Sequence, residues 1–265
     1  MKLSIITVCK NDAENLERTI ISVINQSFKD FEYIIIDGAS NDNTIEIINK
    51  YKSHITKFVS EPDSGIFNAQ NKGIKYSEGD YLCFLNAGDC FTNSEILKNI
   101  FDMEPKAEII YGDINYKFNN GLIYRKKSFK RLTGLKFLVE SLPHPSCFFK
   151  RKLFERVGQM DESFGMTSDY EFFLRAILQY NCSTQYIPLP VAVFNLEGLS
   201  SKYEHSNQAK AERKKIQEKY IDPKTLKIFR NFRVPIIFFL KKIRYLFYLI
   251  LSRVNRNFTQ IKQRF

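Results

Sequence analysis

The sequence lacks the features that would mark a secreted, zinc-bound or membrane-spanning protein. Its five cysteines (Cys9, Cys83, Cys90, Cys147, Cys182) are an odd number, with no C-x-x-C pair and none of the spacings that build zinc sites. Reduced, mostly buried thiols in a reducing compartment are expected. A leader peptide is not expected either, because the apolar stretch Leu3–Cys9 stops at Lys10-Asn11-Asp12 and reads as a first strand. There is no repeat, no low-complexity segment and no nucleic-acid module, so a net charge of +11 is weak ground for RNA binding. No run of about 20 predominantly apolar residues is free of central cations, which argues against a spanning helix.

The charge is unevenly placed. From Lys210 onward there are 16 Lys and Arg against 3 Asp and Glu, leaving 24 against 26 before that point. The composition shifts near 204–210, dividing the chain into a nearly neutral body, 1–203, and a basic extension, 204–265. Within the extension, residues 234–254 are strongly apolar but interrupted by Lys241, Lys242 and Arg244, each costing about 2.5–3.5 kcal/mol at a bilayer centre. On a helix, Arg230, Arg233, Lys241, Arg244 and Arg256 fall near one face, the pattern of an interfacial anchor on anionic lipid. A helix packed on the body or on a second subunit is the alternative.

What the body contains is alternation. Leu3–Cys9, Tyr33–Ile36, Lys57–Ser60 and Tyr81–Leu85 read as strands, each followed by a helical pattern, and 44% hydrophobic residues suffice to bury both faces of a sheet. Parallel neighbours need crossover helices, so a doubly wound parallel sheet is the economical fold. Further on, Glu108–Phe118, Asn119-Asn120-Gly121 and Leu122–Arg125 form a hairpin pattern, followed by a short strand at 147–149, a helix near 152–157, a helix over Asp169–Tyr180 and a strand over Gln185–Phe194. That part should be mixed or antiparallel.

Three of the early strands end in acidic loops: Asp37 after the second, Glu61-Pro62-Asp63 after the third, and Asn86-Ala87-Gly88-Asp89 after the fourth. In open α/β sheets ligands sit outside the carboxyl ends of the strands, so these carboxylates are positioned for chemistry or metal binding. Asn, Gly and Asp are also ordinary turn residues, and a plain Asx turn fits each loop taken alone.

Taken in order, these segments resemble the family 2 glycosyltransferases of the GT-A fold over roughly residues 1–200. The matching pieces are Ile5-Ile-Thr-Val-Cys-Lys-Asn11, Asp37-Gly-Ala-Ser-Asn-Asp-Asn-Thr44, Glu61-Pro-Asp-Ser-Gly65 with Asn68, Asn71 and Gly73, Asn86-Ala-Gly-Asp89, and Ser168-Asp-Tyr-Glu-Phe-Phe-Leu-Arg175. The resemblance implies a Rossmann-like, mixed but mainly parallel α/β sheet flanked by helices, with the basic amphipathic tail appended. It implies an inverting, metal-dependent hexosyltransferase that builds surface polysaccharide from a nucleotide-diphosphate sugar and a glycan or lipid-linked acceptor. Such an enzyme would sit on the cytoplasmic, inner face of the cell membrane through the anionic lipid surface, with no nucleic-acid partner.

The same resemblance assigns roles. Thr7, Val8, Asn11, Asp37, Ser40, Asp63, Asn71, Asn86 and Ala87 would bind the donor nucleotide, and Asp89 would hold Mg²⁺ or Mn²⁺. This loop carries one carboxylate where the family commonly has two or three, so cation binding without nucleotide should be weak; such ions bind through one or two carboxylates plus substrate phosphates. Asp169 would be the general base, kept ionised by the helix N-terminus; a cap and first-turn acid is the structural alternative. His144, Arg175 and His205 are candidates for the acceptor or the diphosphate. A non-catalytic nucleotide-sugar-binding subunit, a polyprenyl-phosphate glycosyltransferase and a basic RNA- or membrane-binding protein are the rivals.

Overall fold

The computed structural model describes residues 2–118, 120–196 and 206–229. Strands β1 (Leu3–Cys9), β2 (Phe31–Asp37), β3 (Lys57–Ser60) and β4 (Tyr81–Phe84) alternate with helices α1 (Ala13–Ile24), α2 (Thr44–Lys50) and α3 (Ile66–Tyr76). All four strands are parallel, in the spatial order β3-β2-β1-β4. The chain winds from β1 outward to β3, then returns to the other side of β1. That reversal opens a crevice beyond the carboxyl ends of β1 and β4, where open α/β sheets take their ligands.

Beyond β4 the sheet becomes mixed, as the hairpin pattern predicts. A short β5 (Cys90–Phe91) and α4 (Ile96–Phe101) lead into the long β6 (Ile109–Lys117), which pairs antiparallel with β7 (Ile123–Lys126). Helix α5 (Gly134–Val139), β8 (Cys147–Lys150), α6 (Arg151–Val157), α7 (Ser168–Leu174) and β9 (Thr184–Asn195) follow. β8 inserts antiparallel between β4 and β6, and β9 runs parallel to β6. β5 and α5 are too short to leave a periodic signature in the sequence.

Strands β1, β2 and β4 are buried on both faces because their apolar residues alternate between two cores. Ile6, Val8, Ile34, Ile36, Leu82 and Phe84 face one core, with side chains from α3 and from α5 to α7. Leu3, Ile5, Tyr33, Ile35, Tyr81 and Cys83 face the other, against α1, α2 and α4. Each fully buried Leu, Ile or Phe contributes about 1.5–3 kcal/mol, which secures the strands whose ends form the crevice. All five thiols are free, and only Cys90 is partly exposed.

Two boundaries differ from the sequence-based expectation. The helix expected over Asp169–Tyr180 begins at Ser168, with Thr167 rather than Ser168 at the cap position, and changes to a π-turn over Arg175–Gln179. The second concerns the basic extension. Its first part forms α8 (Asn207–Tyr220) and α9 (Pro223–Ile228), whose Ile216, Ile221 and Leu226 join the same core as Phe172 and Phe173. Residues 206–229 therefore pack on the body, because apolar side chains recur among their lysines. The proposed anchor at 230–265 and His205 lie outside the described residues. Among the described residues, no helix is long and apolar enough to cross a membrane.

Candidate active site

A cavity of about 1000 Å³ opens at the reversal point. One wall comes from the parallel strands: Val8, Cys9 and Lys10 at the end of β1, Asp63 to Phe67 entering α3, and Asn86 to Asp89 after β4. The opposite wall comes from the mixed half: Tyr116 and Lys126 of the hairpin, residues 140–145 before β8, Asp169 of α7 and Arg213 of α8.

The β4 loop is held from two sides. Beyond β4 the ladder to β1 continues, with Leu85 N–H donating to the Ile6 carbonyl at 3.0 Å and Ala87 N–H to that of Val8 at 3.1 Å. From α1, the buried Thr19 hydroxyl donates to the Asp89 carbonyl at 2.8 Å and accepts from Gly88 N–H at 3.0 Å. Gly88 has φ +96°, which an L side chain adopts only with strain. Asp89 is thereby fixed in the cavity wall with 6% of its surface exposed. Burial pushes its carboxyl well above the usual carboxylate range, opposed only by a backbone hydrogen bond with Asn86.

That environment fits a cation completed by substrate. Among the described residues no cluster of three or more His, Cys, Asp or Glu could hold an ion alone. Asp89 is a desolvated carboxylate in the cavity wall, and a divalent ion sharing it with a diphosphate would supply the missing charge.

The Asp37 loop is built differently. Asp37 is fully buried and accepts hydrogen bonds from Ser40 N–H at 3.0 Å, from the Ser40 hydroxyl and from the Ser60 hydroxyl at 2.6 Å. Asn11, at φ +51°, joins the β1 and β2 loops: its N–H donates to the Ser40 hydroxyl and its side-chain oxygen accepts from Asn41 N–H, both at 2.8 Å. Asp63 accepts from Gly65 N–H at 3.0 Å and lies against Gly38, where a Cβ would come within 2.3 Å of the carboxylate. Only glycine admits that approach.

Asp169, the second residue of α7, is half-buried in the cavity wall, and its carboxylate accepts from Tyr170 N–H at 2.6 Å. The Thr167 hydroxyl at the helix cap donates to Glu212 of α8 at 2.7 Å, tying the α7 terminus to α8. His144 lies in the same wall between Pro143 and Pro145, its ring stacked on Phe84 at 5.0 Å between centroids.

Of the residues expected at the site, Val8, Asp63, Asn86, Ala87, Asp89, His144 and Asp169 line this cavity. Asn11, Asp37 and Ser40 form the interlocked loops behind it. Thr7 does not line it: it is fully buried, donating to the Leu85 carbonyl at 2.7 Å beside Tyr33. Asn71 is occupied in holding the following loop, bonding both Met160 backbone groups at 3.0 Å and Glu162 at 2.8 Å. Arg175 is bound to Glu171 at 2.9 Å and to the carbonyls of Val157 and Gln159 at 2.8 and 2.7 Å. The side chains of those three are bonded within the protein in this geometry.

Sequence reasoning missed Lys10, Arg18, Gln70, Lys126 and Arg213, all in the cavity wall. Gln70 was within reach, because Phe67, Gln70 and Ile74 recur at helical spacing and a fully buried glutamine on that face needs a partner. Its amide donates to the Asn86 side-chain oxygen at 3.1 Å. Arg213 sits over the Tyr170 ring at 4.7 Å, and no local pattern in the basic extension distinguished it from its neighbours.

The arrangement, a doubly wound sheet with a carboxylate from each half facing one crevice, has the GT-A architecture of solved glycosyltransferases. Staphylococcus aureus TarS residues 1–349 superpose with a TM-score of 0.63 at 19% identity, covering 88% of this chain and 73% of that one. A Pyrobaculum calidifontis mannosyltransferase, solved with GDP-Man and Mn²⁺, gives 0.59 at 14% identity, covering 96% and 82%. The chain belongs to glycosyl transferase family 2, whose family model matches residues 4–158. An uncharacterized glycosyltransferase of Mycobacterium tuberculosis is 31% identical over 219 residues, covering 77% of this chain and 79% of the relative. A PGL/p-HBAD biosynthesis glycosyltransferase of Mycobacterium bovis is 26% identical over 211 residues, covering 75% and 78%.

Proposed function

We propose that this glycosyltransferase inverts configuration as it moves one sugar from a nucleotide-diphosphate donor to a glycan or lipid-linked acceptor in surface glycan synthesis. The observation that carries the reading is the convergence of Asp89, from the loop after β4, and Asp169, from helix α7, on one cavity at the reversal point. The name of the mycobacterial relative supports a role in glycan biosynthesis, and the ligands named with the solved neighbours, UDP-GlcNAc and GDP-Man, support a nucleotide-diphosphate sugar as donor.

The nucleotide lies along the β1, β2 and β4 loops, with Val8, Asn86 and Ala87 in contact and Asp37, Ser40 and Asn11 fixing the loop shapes. Asp63 borders the same part of the cleft. Asp89, together with the diphosphate, would hold Mg²⁺ or Mn²⁺, which would supply positive charge to stabilise the leaving group. The acceptor hydroxyl attacks the anomeric carbon from the face opposite the diphosphate. A new carbon–oxygen bond forms as the bond to the diphosphate breaks, and Asp169 takes the hydroxyl proton. The basic segment 230–265 would hold the enzyme on the inner membrane face, which flotation with anionic vesicles tests.

A thermal-shift panel of UDP-, GDP- and dTDP-sugars with and without Mn²⁺ tests the donor, since a ligand that binds only the folded state raises stability by mass action. One nucleotide series should raise Tm, more so with Mn²⁺. No response to any nucleotide sugar would sink the reading. Turnover surviving intact in Asp169→Asn would remove Asp169 from the chemistry.

A further inference from the structure

Among the uncharged residues of the cavity wall, three carry a buried polar atom without a hydrogen-bond partner: Gln70 Oε1, Ser141 Oγ and His144 Nε2. They come from separate segments, α3, the loop after α5 and the turn before β8, yet share one cavity. Buried polar atoms are nearly always bonded, because an orphan forfeits its hydration without compensation. Three around one cavity point to a ligand that satisfies them.

His144 is the most informative of the three. It is only 7% exposed and is enclosed by aromatic rings: stacked on Phe84 at 5.0 Å, tilted to Phe149 at 5.7 Å and edge-on to Phe173 at 6.3 Å. A phenylalanine would satisfy those neighbours equally well, so packing gives no reason for ring nitrogens at this position. Burial also lowers the imidazole to about 3, so it is neutral at ordinary pH and offers one donor and one acceptor. A neutral imidazole, a hydroxyl and an amide oxygen form an uncharged set of mixed donors and acceptors. Hydroxyl groups need that chemistry, whereas a phosphate in the same cavity would be met by the cations Lys10, Arg18, Lys126 and Arg213.

We propose that Gln70, Ser141 and His144 form a recognition site for the hydroxyl groups of a sugar, with His144 as its specificity-determining member. This rests on the transferase reading above. The sugar is that of the donor or the terminal residue of the acceptor, two sources of the same chemistry.

The test compares wild type with His144→Phe and His144→Gln. Each is given the nucleotide sugar that shifts the wild type, its parent nucleoside diphosphate and Mn²⁺. His144→Phe keeps the aromatic packing, so its Tm without ligand should equal or exceed that of the wild type. Its kcat/KM should fall about ten- to a hundredfold, as for loss of hydrogen bonds to a bound group, with partial rescue in His144→Gln. If the donor sugar is the ligand, the extra Tm shift of nucleotide sugar over nucleoside diphosphate disappears. If the acceptor is the ligand, that difference stays and only the acceptor KM rises. Unchanged turnover in a folded His144→Phe, or loss confined to Mn²⁺ stimulation, overturns the inference and leaves the transferase reading standing. A wild type that responds to no nucleotide sugar removes both.

Discussion

The two halves of the sheet meet at the same cavity but prepare it in opposite ways. In the parallel half, the polar groups of the loops are bonded to one another: Asp37 to Ser40 and Ser60, Asn11 to Ser40 and Asn41, Asp63 to Gly65. In the mixed half, Ser141 and His144 hold orphaned buried atoms, and Gln70 of α3 is the exception to the pattern in the parallel half. The first half is shaped before any ligand arrives, which lowers the ordering cost of binding. The second waits for a ligand to complete it. An enzyme that uses a common donor chemistry and a particular acceptor has reason to be divided in this way.

The largest effect that can sharpen this comparison is at the base. Asp169→Asn should lower turnover by about 10²- to 10⁴-fold while leaving the donor-induced Tm shift intact, because the proposed nucleotide site belongs to the other half. Loss of donor binding in that variant would break the division. Next, Gly38→Ala places a Cβ within 2.3 Å of Asp63 Oδ2 and must displace that carboxylate. Because that oxygen ends a partly exposed side chain that can swing aside, stability should change by less than about 1 kcal/mol while donor affinity weakens with little change in kcat, as read by denaturation and calorimetry.

A subtler contrast appears in pH dependence. Asp89 has its folded-state carboxyl raised above its unfolded value of 3.8, so the folded protein binds the proton more tightly than the unfolded chain does. Its contribution to stability is present below pH 3.8 and is lost as pH rises toward the folded-state value. Without ligand, Asp89→Asn should therefore become more stable relative to wild type as pH rises above 4. A Tm–pH curve parallel to the wild type would show that the Asp89 carboxylate is not desolvated. The smallest effect on activity is expected at Glu212→Gln, which weakens the bond from the Thr167 hydroxyl at the α7 cap. It should cost about 1 kcal/mol and lower kcat a few-fold with the donor KM unchanged.

The same division decided what the sequence revealed. In the parallel half, the cavity wall is built at strand ends, and a buried strand followed by an acidic loop has a short, local signature. The loops carrying Asp37, Asp63 and Asp89 could therefore be read along the chain. In the mixed half, the cavity wall is assembled from a 3₁₀ turn at His144, a hairpin strand carrying Lys126 and a helix carrying Arg213, none of which has a period that points to the cleft. Asp169 was legible only through its resemblance to a family motif. The packing of α8 was hidden by composition: its lysines read as a solvated extension, while Ala209 and Ile216 bury themselves completely. Thr7, Asn71 and Arg175 show the converse, being residues of the right kind whose partners only the fold could reveal.

Calorimetric titration of the nucleotide sugar in Mn²⁺, run on wild type, Asp89→Asn and Asp169→Asn with turnover measured on the same samples, tests the shared cleft most directly. The account predicts that Asp89→Asn loses Mn²⁺-dependent donor affinity, whereas Asp169→Asn binds donor like the wild type and fails to transfer it. Wild-type affinity and turnover in both variants would mean that the two carboxylates do not serve one reaction.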